Sequence, residues 1–369
     1  MDVRSLGDAF KVVMDHNGWS GARLARELGA SQPWVSMVLN GRRDPGMRRS
    51  AELLARTGWE FQLVPSGGDP VRRRAFLLAA ASVAFVPSPA ATPYSDPAYL
   101  DGLTARLIHN EAQMGGAPLA REALRHIART VPAAQAGGVP LRAAASRLCQ
   151  QAALVLHDVR RLGQAEEVAA TALAFARAAG DVTAQATAYD TLSLITAHLP
   201  DGRGAEYARR GLALPGASDS DRAALAARLG RSLALLPGHA REARTSLEHA
   251  LQLADQSGPS AEIAGNTGIG FTDLGMPGRA EHYLTTAVSL TASSPFLHSL
   301  YVARQAKAAI RARRPEQAAE KMTALAAVAP LVESPRLAIH LRHIYDGTRK
   351  WAAIEDVRDA RDALRETMT

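Results

Sequence analysis

Small residues recur at a regular interval through the C-terminal part of the chain. The spacing G-x4-A-x6-A occurs twice, beginning at Gly238 and at Gly275. Three further units fill its two alanine positions with small residues: Ala165 and Ala172, Gly204 and Gly211, and Ala319 and Ala326. The five units thus begin at Arg160, Leu199, Gly238, Gly275 and Arg314, which are almost evenly spaced. Such an interval is typical of stacked helical hairpins whose helices approach closely at the small residues.

Apolar residues at helical spacing continue almost to the end of the chain. Gly or Pro interrupts them at intervals of roughly four to five helical turns, and strand-like alternation is nearly absent. The sequence therefore predicts an all-α solenoid of six or seven helical hairpins: 98–131, 141–180, 183–215, 219–257, 260–293, 297–329 and 335–367. The concave face of such a superhelix typically binds a peptide or a partner helix.

This repeat pattern resembles the tetratricopeptide repeat (TPR) family in its longer-period form, although most of the large aromatic positions are absent. HEAT-like and other helical-hairpin repeats stay open as alternatives. Because the first helix of each pair usually faces inward, we expect the ligand groove to be lined by Arg147, Gln151, Tyr189, Arg228, Asn266 and Arg304. Asn266 lies among glycines, where another backbone could come close. The alternative is that Asn266 only caps a helix or forms a turn.

The segment from Gly18 to Pro45 has a different organisation. Ser20 is a good N-cap for a helix that ends near Leu28, and Gly29 permits a sharp reversal of the chain. Ser31 is a second N-cap, with Pro33 in the first turn of the helix that follows. This order of helix, tight turn, helix and basic loop is typical of a DNA-reading helix-turn-helix.

Residues 5–63 resemble the Xre/Cro (lambda-repressor-like) helix-turn-helix family. The resemblance rests on Trp19-Ser20, Leu24-Ala25, Leu28-Gly29, Ser31-Gln32, Val35-Ser36 and Asn40-Gly41-Arg42-Arg43. Flanking helices are expected over 6–16 and 47–57. Residues 59–64 depart from the family, because they alternate like a short strand. The RRR-x-FL sequence that begins at Arg72 also resembles the junction in actinobacterial regulators that join such a unit to helical repeats.

The N-terminal end of the second helix is expected to enter the major groove of duplex DNA. Gln32, Pro33 and Met37 are the candidates for base contact, because an amide suits adenine and apolar groups suit the thymine methyl. The candidates for contact with the DNA backbone are Ser20, Ser31, Trp34, Ser36, Asn40, Arg42 and Arg43. Two interpretations of Trp34 stay open, since it could pack on the sugar-phosphate backbone or on the preceding helix. A helical hairpin without a role in DNA binding is the alternative for the whole segment.

Charge and cysteine content agree with a nucleic-acid partner. The net charge of +7 divides into +4 in residues 1–74 and +3 in the rest, so positive charge is concentrated at the N-terminal end. Cys149 is the only cysteine, which excludes an internal disulfide and fits a reducing cytoplasm. The N-terminus has no apolar secretory core, and we expect no association with a membrane.

No catalytic, nucleotide or metal motif is found, so we expect neither an enzyme nor a cofactor. His340 and His343 share a helix face, but they have no further ligands at suitable spacing and are expected on the surface. The arginines at 72–74 and the apolar run that follows look like a twin-arginine signal. Since that run is shorter than the roughly 20 residues of a membrane span, a docking helix is favoured.

The predicted domains are a DNA-binding unit over 1–64, a linker over 65–97 and a repeat domain over 98–369. We therefore expect a cytoplasmic, homodimeric regulator whose repeats sense a peptide or another small signal. The alternative is a scaffold whose repeats recruit a protein while the N-terminal unit serves as a DNA tether, or an antitoxin-like regulator.

Overall fold

The computed structural model describes residues 6–41, 53, 93–257 and 260–368. These residues are helical without any strand, which confirms the all-α class for this part of the chain. The strand predicted at 59–64 and the arginine-led segment lie outside the described residues. The chain divides into two compact units, Met1–Ser88 and Pro89–Thr369. No helix within the described ranges is both long enough and apolar enough to cross a bilayer.

The first unit has its described helices at α1 (Leu6–Asn17), α2 (Gly21–Leu28) and α3 (Gln32–Leu39). The Ser20 hydroxyl accepts a hydrogen bond from Arg23 N at 3.3 Å and so caps α2. Gly29 adopts φ 61°, a left-handed conformation that costs glycine little, and it turns the chain from α2 into α3. The three helices enclose one small apolar core: Phe10, Val13, Leu24, Ala25, Leu28, Val35, Val38 and Leu53.

The second unit is a succession of helices joined by short turns. Their bounds are α4 (Pro97–Met114), α5 (Ala120–Ala136), α6 (Val139–Asp158), α7 (Leu162–Ala179), α8 (Val182–Thr196), α9 (Arg203–Leu212), α10 (Asp219–Leu233), α11 (Ala240–Ser257), α12 (Ala261–Asp273), α13 (Pro277–Leu290), α14 (Pro295–Arg311), α15 (Pro315–Val328), α16 (Pro335–Gly347) and α17 (Glu355–Glu366). From α6 to α15 the consecutive helices pack in pairs, as the repeat pattern predicts. The two ends differ, because α4 and α5 both pack on α6 and α17 packs mainly on α15.

The small residues lie where helices approach most closely. A Cβ atom on Gly204 would stand 2.8 Å from the Cα of Ala197, and one on Gly211 would stand 2.6 Å from Leu225 Cδ2. Both distances are too short for a larger residue, so the crossings of α9 with its neighbours depend on glycine. The spacing of the small residues therefore has a steric cause.

The last unit begins one residue earlier than the sequence suggested. Arg313, rather than Arg314, has the positive φ (58°) that Gly275 has in the preceding unit. The buried residues of α15 are Ala318, Ala319, Met322 and Leu325, whereas Ala326 is only partly buried. Ala319 is thus buried as expected, while the turn residue is Arg313 instead of Arg314, because alanines occupy both registers and only the turn separates them.

The turn between α4 and α5 closes the superhelix on itself. Glu333 N donates to Met114 O at 2.7 Å, and Ala117 N donates to Glu333 O at 3.1 Å. The buried Asp158 carboxylate accepts from Gly116 N at 2.9 Å and from the Ser334 hydroxyl at 2.6 Å. The first helices of the array thus meet the last ones, and their inner faces surround a common space.

Candidate functional site

One candidate site is the exposed face of α3. Val35 and Val38 are buried in the core of the first unit, and this fixes the rotation of the helix. Gln32, Pro33 and Met37 are exposed, and Met37 is unusual for an apolar side chain in being 37% exposed. The three residues proposed for base contact therefore lie on the outer surface of the bundle.

The residues expected to contact the DNA backbone around this face differ in their burial and in their hydrogen bonds. Ser31 precedes α3 and makes no side-chain capping hydrogen bond. Asn40 Nδ2 donates to the exposed Ser36 hydroxyl at 3.4 Å. Trp34 is half-buried and packs edge-on against Phe10 of α1, with ring centroids 6.5 Å apart. Arg42 and Arg43, the expected phosphate ligands, lie outside the described residues.

A second candidate site is built by equivalent positions on the first helices of the repeats. Asp190, Arg228, Asn266 and Arg304 follow one another at a constant interval on α8, α10, α12 and α14. Because successive first helices stack, equivalent positions lie side by side along the inner face. These residues therefore form a polar row across the concave surface.

Arg228 is the centre of this row. Its Nε and Nη2 atoms each donate to the Asp190 carboxylate at 2.7 Å, and Nη2 also donates to Glu262 Oε1 at 2.8 Å. Burial opposes the charge, but the carboxylates of Asp190 and Glu262 keep the pKa of Arg228 above its ordinary value. The Asn266 amide oxygen accepts from Arg228 at 3.0 Å and from Arg231 at 2.8 Å. Asn266 is thus a buried acceptor in mid-helix rather than a cap or a turn.

The glycines beside Asn266 make room for side chains of neighbouring helices. A Cβ atom on Gly265 would lie 2.1 Å from Cε1 of Tyr301, so the ring of Tyr301 rests directly on α12. On another face of the same helix, a Cβ on Gly268 would lie 2.7 Å from Leu284. The close approach expected at the GNTG sequence is therefore made by side chains of the repeat domain itself.

The polar row forms part of the wall of a cavity of about 340 Å³. This volume falls in the range of small-molecule sites. The wall is made of Glu111, Leu154, His157, Leu194, Arg228, Arg231, Ala261, Glu262, Asn266, Ile269, Thr291, Phe296, Leu297, Leu300, Tyr301, Arg304, Arg336 and His340. Two further cavities adjoin this one. The cavity of about 250 Å³ shares Arg228 and Glu262 with its wall, and the cavity of about 420 Å³ shares His340.

The residues expected in the groove are distributed between the cavity and other places. Arg228, Asn266 and Arg304 are in the wall. Gln151 lies behind the wall, where its amide donates to the Glu111 carboxylate.

Two of the expected residues lie away from the cavity. Arg147 is exposed and forms a bidentate pair with Asp101 of α4. Tyr189 is buried between helices, with its hydroxyl bonded to Arg177 of α7. On α8 the residue that faces inward is Asp190, which directly follows Tyr189. Asp190 lies one repeat interval before Arg228, so the two residues occupy equivalent positions on stacked helices.

Burial changes the acid–base behaviour of several groups in the wall. Desolvation raises the pKa of Glu111 to about 7, although Arg336 and the Gln151 hydrogen bond oppose this. Desolvation and the nearby arginines lower the pKa of His157 and of His340 well below the ordinary value, so both imidazoles stay neutral. The expectation of a surface histidine is therefore wrong for His340, which α16 places half-buried in the cavity wall.

Sequence reasoning missed Asp190, Arg231, Tyr301 and Arg336. The repeat interval could have identified Asp190, since it lies one interval before Arg228. Arg336 could not have been found in this way, because it reaches the cavity only through the closure of the superhelix at Asp158, which it contacts at 3.3 Å. No group of three or more potential metal ligands occurs within the described part of the chain.

Comparison with models of known protein families gave no match, and comparison with curated proteins gave none either.

Proposed function

We propose that this protein is a DNA-binding transcriptional regulator. In this proposal the first unit is an Xre-like helix-turn-helix that reads duplex DNA, and the TPR-like repeat domain senses a signal and contributes to dimerisation. The observation that carries the proposal is the solvent-exposed N-terminal face of α3, held on a buried apolar bundle and set against α2 by the turn at Gly29. A helix that enters the major groove needs this arrangement.

The roles of the exposed residues follow from their chemistry. The Gln32 amide can donate to N7 and accept from N6 of one adenine, while Pro33 and Met37 offer apolar contact to a thymine methyl. Ser20, Ser31, Ser36 and Asn40 carry short polar groups suited to phosphate oxygens, and Arg42 and Arg43 supply charge. Trp34 could offer the DNA backbone only the part of its ring that Phe10 leaves uncovered.

A cavity on the concave face of the repeats supports the sensing role. A ligand changes the activity of a regulator only if it binds two conformations with different affinity. The contact between the turn at Met114–Ala117 and Glu333 joins distant parts of the array around this cavity. A bound ligand would therefore act on the curvature of the whole superhelix.

The test is a comparison of two glutamine variants on a duplex selected from a random library by the full chain. Gln32→Ala should weaken binding by roughly 1–3 kcal/mol at one base position and relax the preference there. Gln164→Ala, an exposed glutamine near the start of α7, should bind like the wild type. Equal binding by all three proteins would remove Gln32 from the interface.

The scaffold alternative makes a different prediction. Binding would then depend on salt without any enriched sequence, since contacts to phosphates alone carry no sequence information. A regulator that recognises an operator should show both a salt dependence and an enriched motif.

A further inference from the structure

The arginines in the cavity wall differ in whether a carboxylate balances their positive charge. Arg228 faces Asp190 and Glu262, and Arg336 faces Asp158. Arg231 is bonded to the neutral amide of Asn266 and has no carboxylate within ion-pair distance in the described part of the chain. Arg304 makes neither a hydrogen bond nor an ion pair there. Two guanidinium groups therefore face the cavity without an anionic partner.

Their surroundings make this arrangement costly. Burial, together with the repulsion between the two groups, lowers the pKa of Arg231 to about 9. Burial also lowers the pKa of Arg304 to about 10, even though Asp273 offsets part of the effect. Both side chains stay charged at neutral pH, because an arginine does not lose its proton there. An anion between them would relieve the repulsion and would satisfy donors that are otherwise without partners.

Asp273 does not supply this anion. Its carboxylate is largely buried, already accepts from Lys307 at 3.3 Å and forms an ion pair with Arg311 at 3.2 Å. The two acids of the wall are also engaged, since Glu111 accepts from Gln151 and Glu262 pairs with Arg228. The polar row thus ends at an Arg304 that has no partner among the described residues.

One part of the wall is apolar. Leu194, Ile269, Leu297 and Leu300 line the cavity together with Phe296. Leu297 is 39% exposed, which is uncommon for a large apolar side chain in an otherwise well-packed helix. A site that combines an apolar wall with a few converging charged donors favours a ligand that has an anionic group and an apolar body.

We propose that the cavity binds a small amphiphilic anion, with its carboxylate or phosphate head between Arg231 and Arg304 and its apolar body against Leu194, Ile269 and Leu300. This inference deepens the proposed function, because it rests on the repeat domain being a sensor and names the chemical class of the signal.

The experiment uses four probes that share an eight-carbon chain and differ in the head group. Octanoate, octyl phosphate, 1-octanol and octylammonium are titrated into the full chain by calorimetry. Octanoate or octyl phosphate should bind saturably and at least about tenfold more tightly than 1-octanol, as expected for hydrogen bonds to charged groups. Octylammonium should bind least. The ratio between the two anions distinguishes a carboxylate ligand from a phosphate ester.

Variants locate the site. Replacing both cations, with Arg231→Gln and Arg304→Gln, should abolish the preference for anions and leave the affinity for 1-octanol nearly unchanged. The double variant should fold, since it removes unmatched buried charge. Arg244→Gln, at an exposed position of α11, is the matched control and should bind like the wild type.

Two results would overturn the inference: equal affinity for octanoate and 1-octanol, or anion binding that survives loss of both arginines. Because these titrations contain no DNA, they are independent of whether the first unit reads a sequence. Loss of DNA recognition in Gln32→Ala, measured separately, tests the proposed function alone.

Discussion

Glu111 offers a quantitative test of the closed superhelix. This residue is only 8% exposed, in the wall that α4 contributes to the cavity. The burial depends on the contact of the first hairpin with the later ones, because an isolated α4 would present this residue to water. Desolvation raises the pKa from 4.5 to about 7 in the folded protein.

The sign of the effect on stability follows from proton uptake. Between pH 4.5 and about 7 the folded chain keeps the Glu111 proton, whereas the unfolded chain has released it. The folded state thus binds more protons, and this group makes the free energy of unfolding fall as the pH rises. The shift from 4.5 to about 7 corresponds to about 3 kcal/mol, fully developed above pH 7.

Glu111→Gln removes the titration and keeps an oxygen that can accept from Gln151. The free energy of unfolding of this variant minus that of the wild type should increase by about 3 kcal/mol between pH 4 and pH 8. His157 and His340 stay neutral in the folded wall, so they make both proteins more stable as the pH rises towards 6.5. Their contributions cancel in the difference.

The assay is urea unfolding followed by circular dichroism at several pH values. Glu167→Gln, at an exposed position of α7, is the control for the same chemical change outside the cavity. A difference for Glu111→Gln that does not change with pH would refute the reasoning, because it would mean that the carboxyl group is hydrated and that α4 does not pack against the later helices as described.

Two other predictions concern packing and the single thiol. Gly116→Ala should destabilise the protein by about 1–3 kcal/mol in thermal unfolding, because its Cβ would lie 2.9 Å from Val155 O. Gly163→Ala has open space around the new Cβ and should leave stability unchanged or raise it by up to about 1 kcal/mol, so equal losses in both variants would contradict the closure at Gly116. Burial raises the pKa of Cys149 to about 12, so the thiol should react with a disulfide reagent only after unfolding; rapid reaction of the native protein would show that α6 is not packed as described.

The helical architecture was largely predictable from the sequence because its causes are local. The turn at Gly29, the cap at Ser20 and the small residues at helix crossings each act over a few residues. The inward position of the first helices also led to Arg228, Asn266 and Arg304, which the structure places together in the cavity wall. A period carries this information because equivalent residues on stacked helices face the same way.

The remaining features depend on contacts that the interval does not contain. Tyr189 is expected in the groove from its position on a first helix, yet its size and apolar ring favour the helix core. The charge of Asp190 is instead required beside Arg228. The approach of Arg336 to the cavity depends on the curvature accumulated over several repeats, and small differences at each crossing decide that curvature.

The most direct test of the central proposal is selection of genomic DNA fragments by the purified full chain at near-physiological salt, followed by sequencing. A dimeric helix-turn-helix regulator should enrich an inverted repeat whose half-sites are centred about 34–36 Å apart, or a multiple of that distance. Binding that enriches no sequence at all would contradict the proposal and would leave the first unit as a non-specific tether.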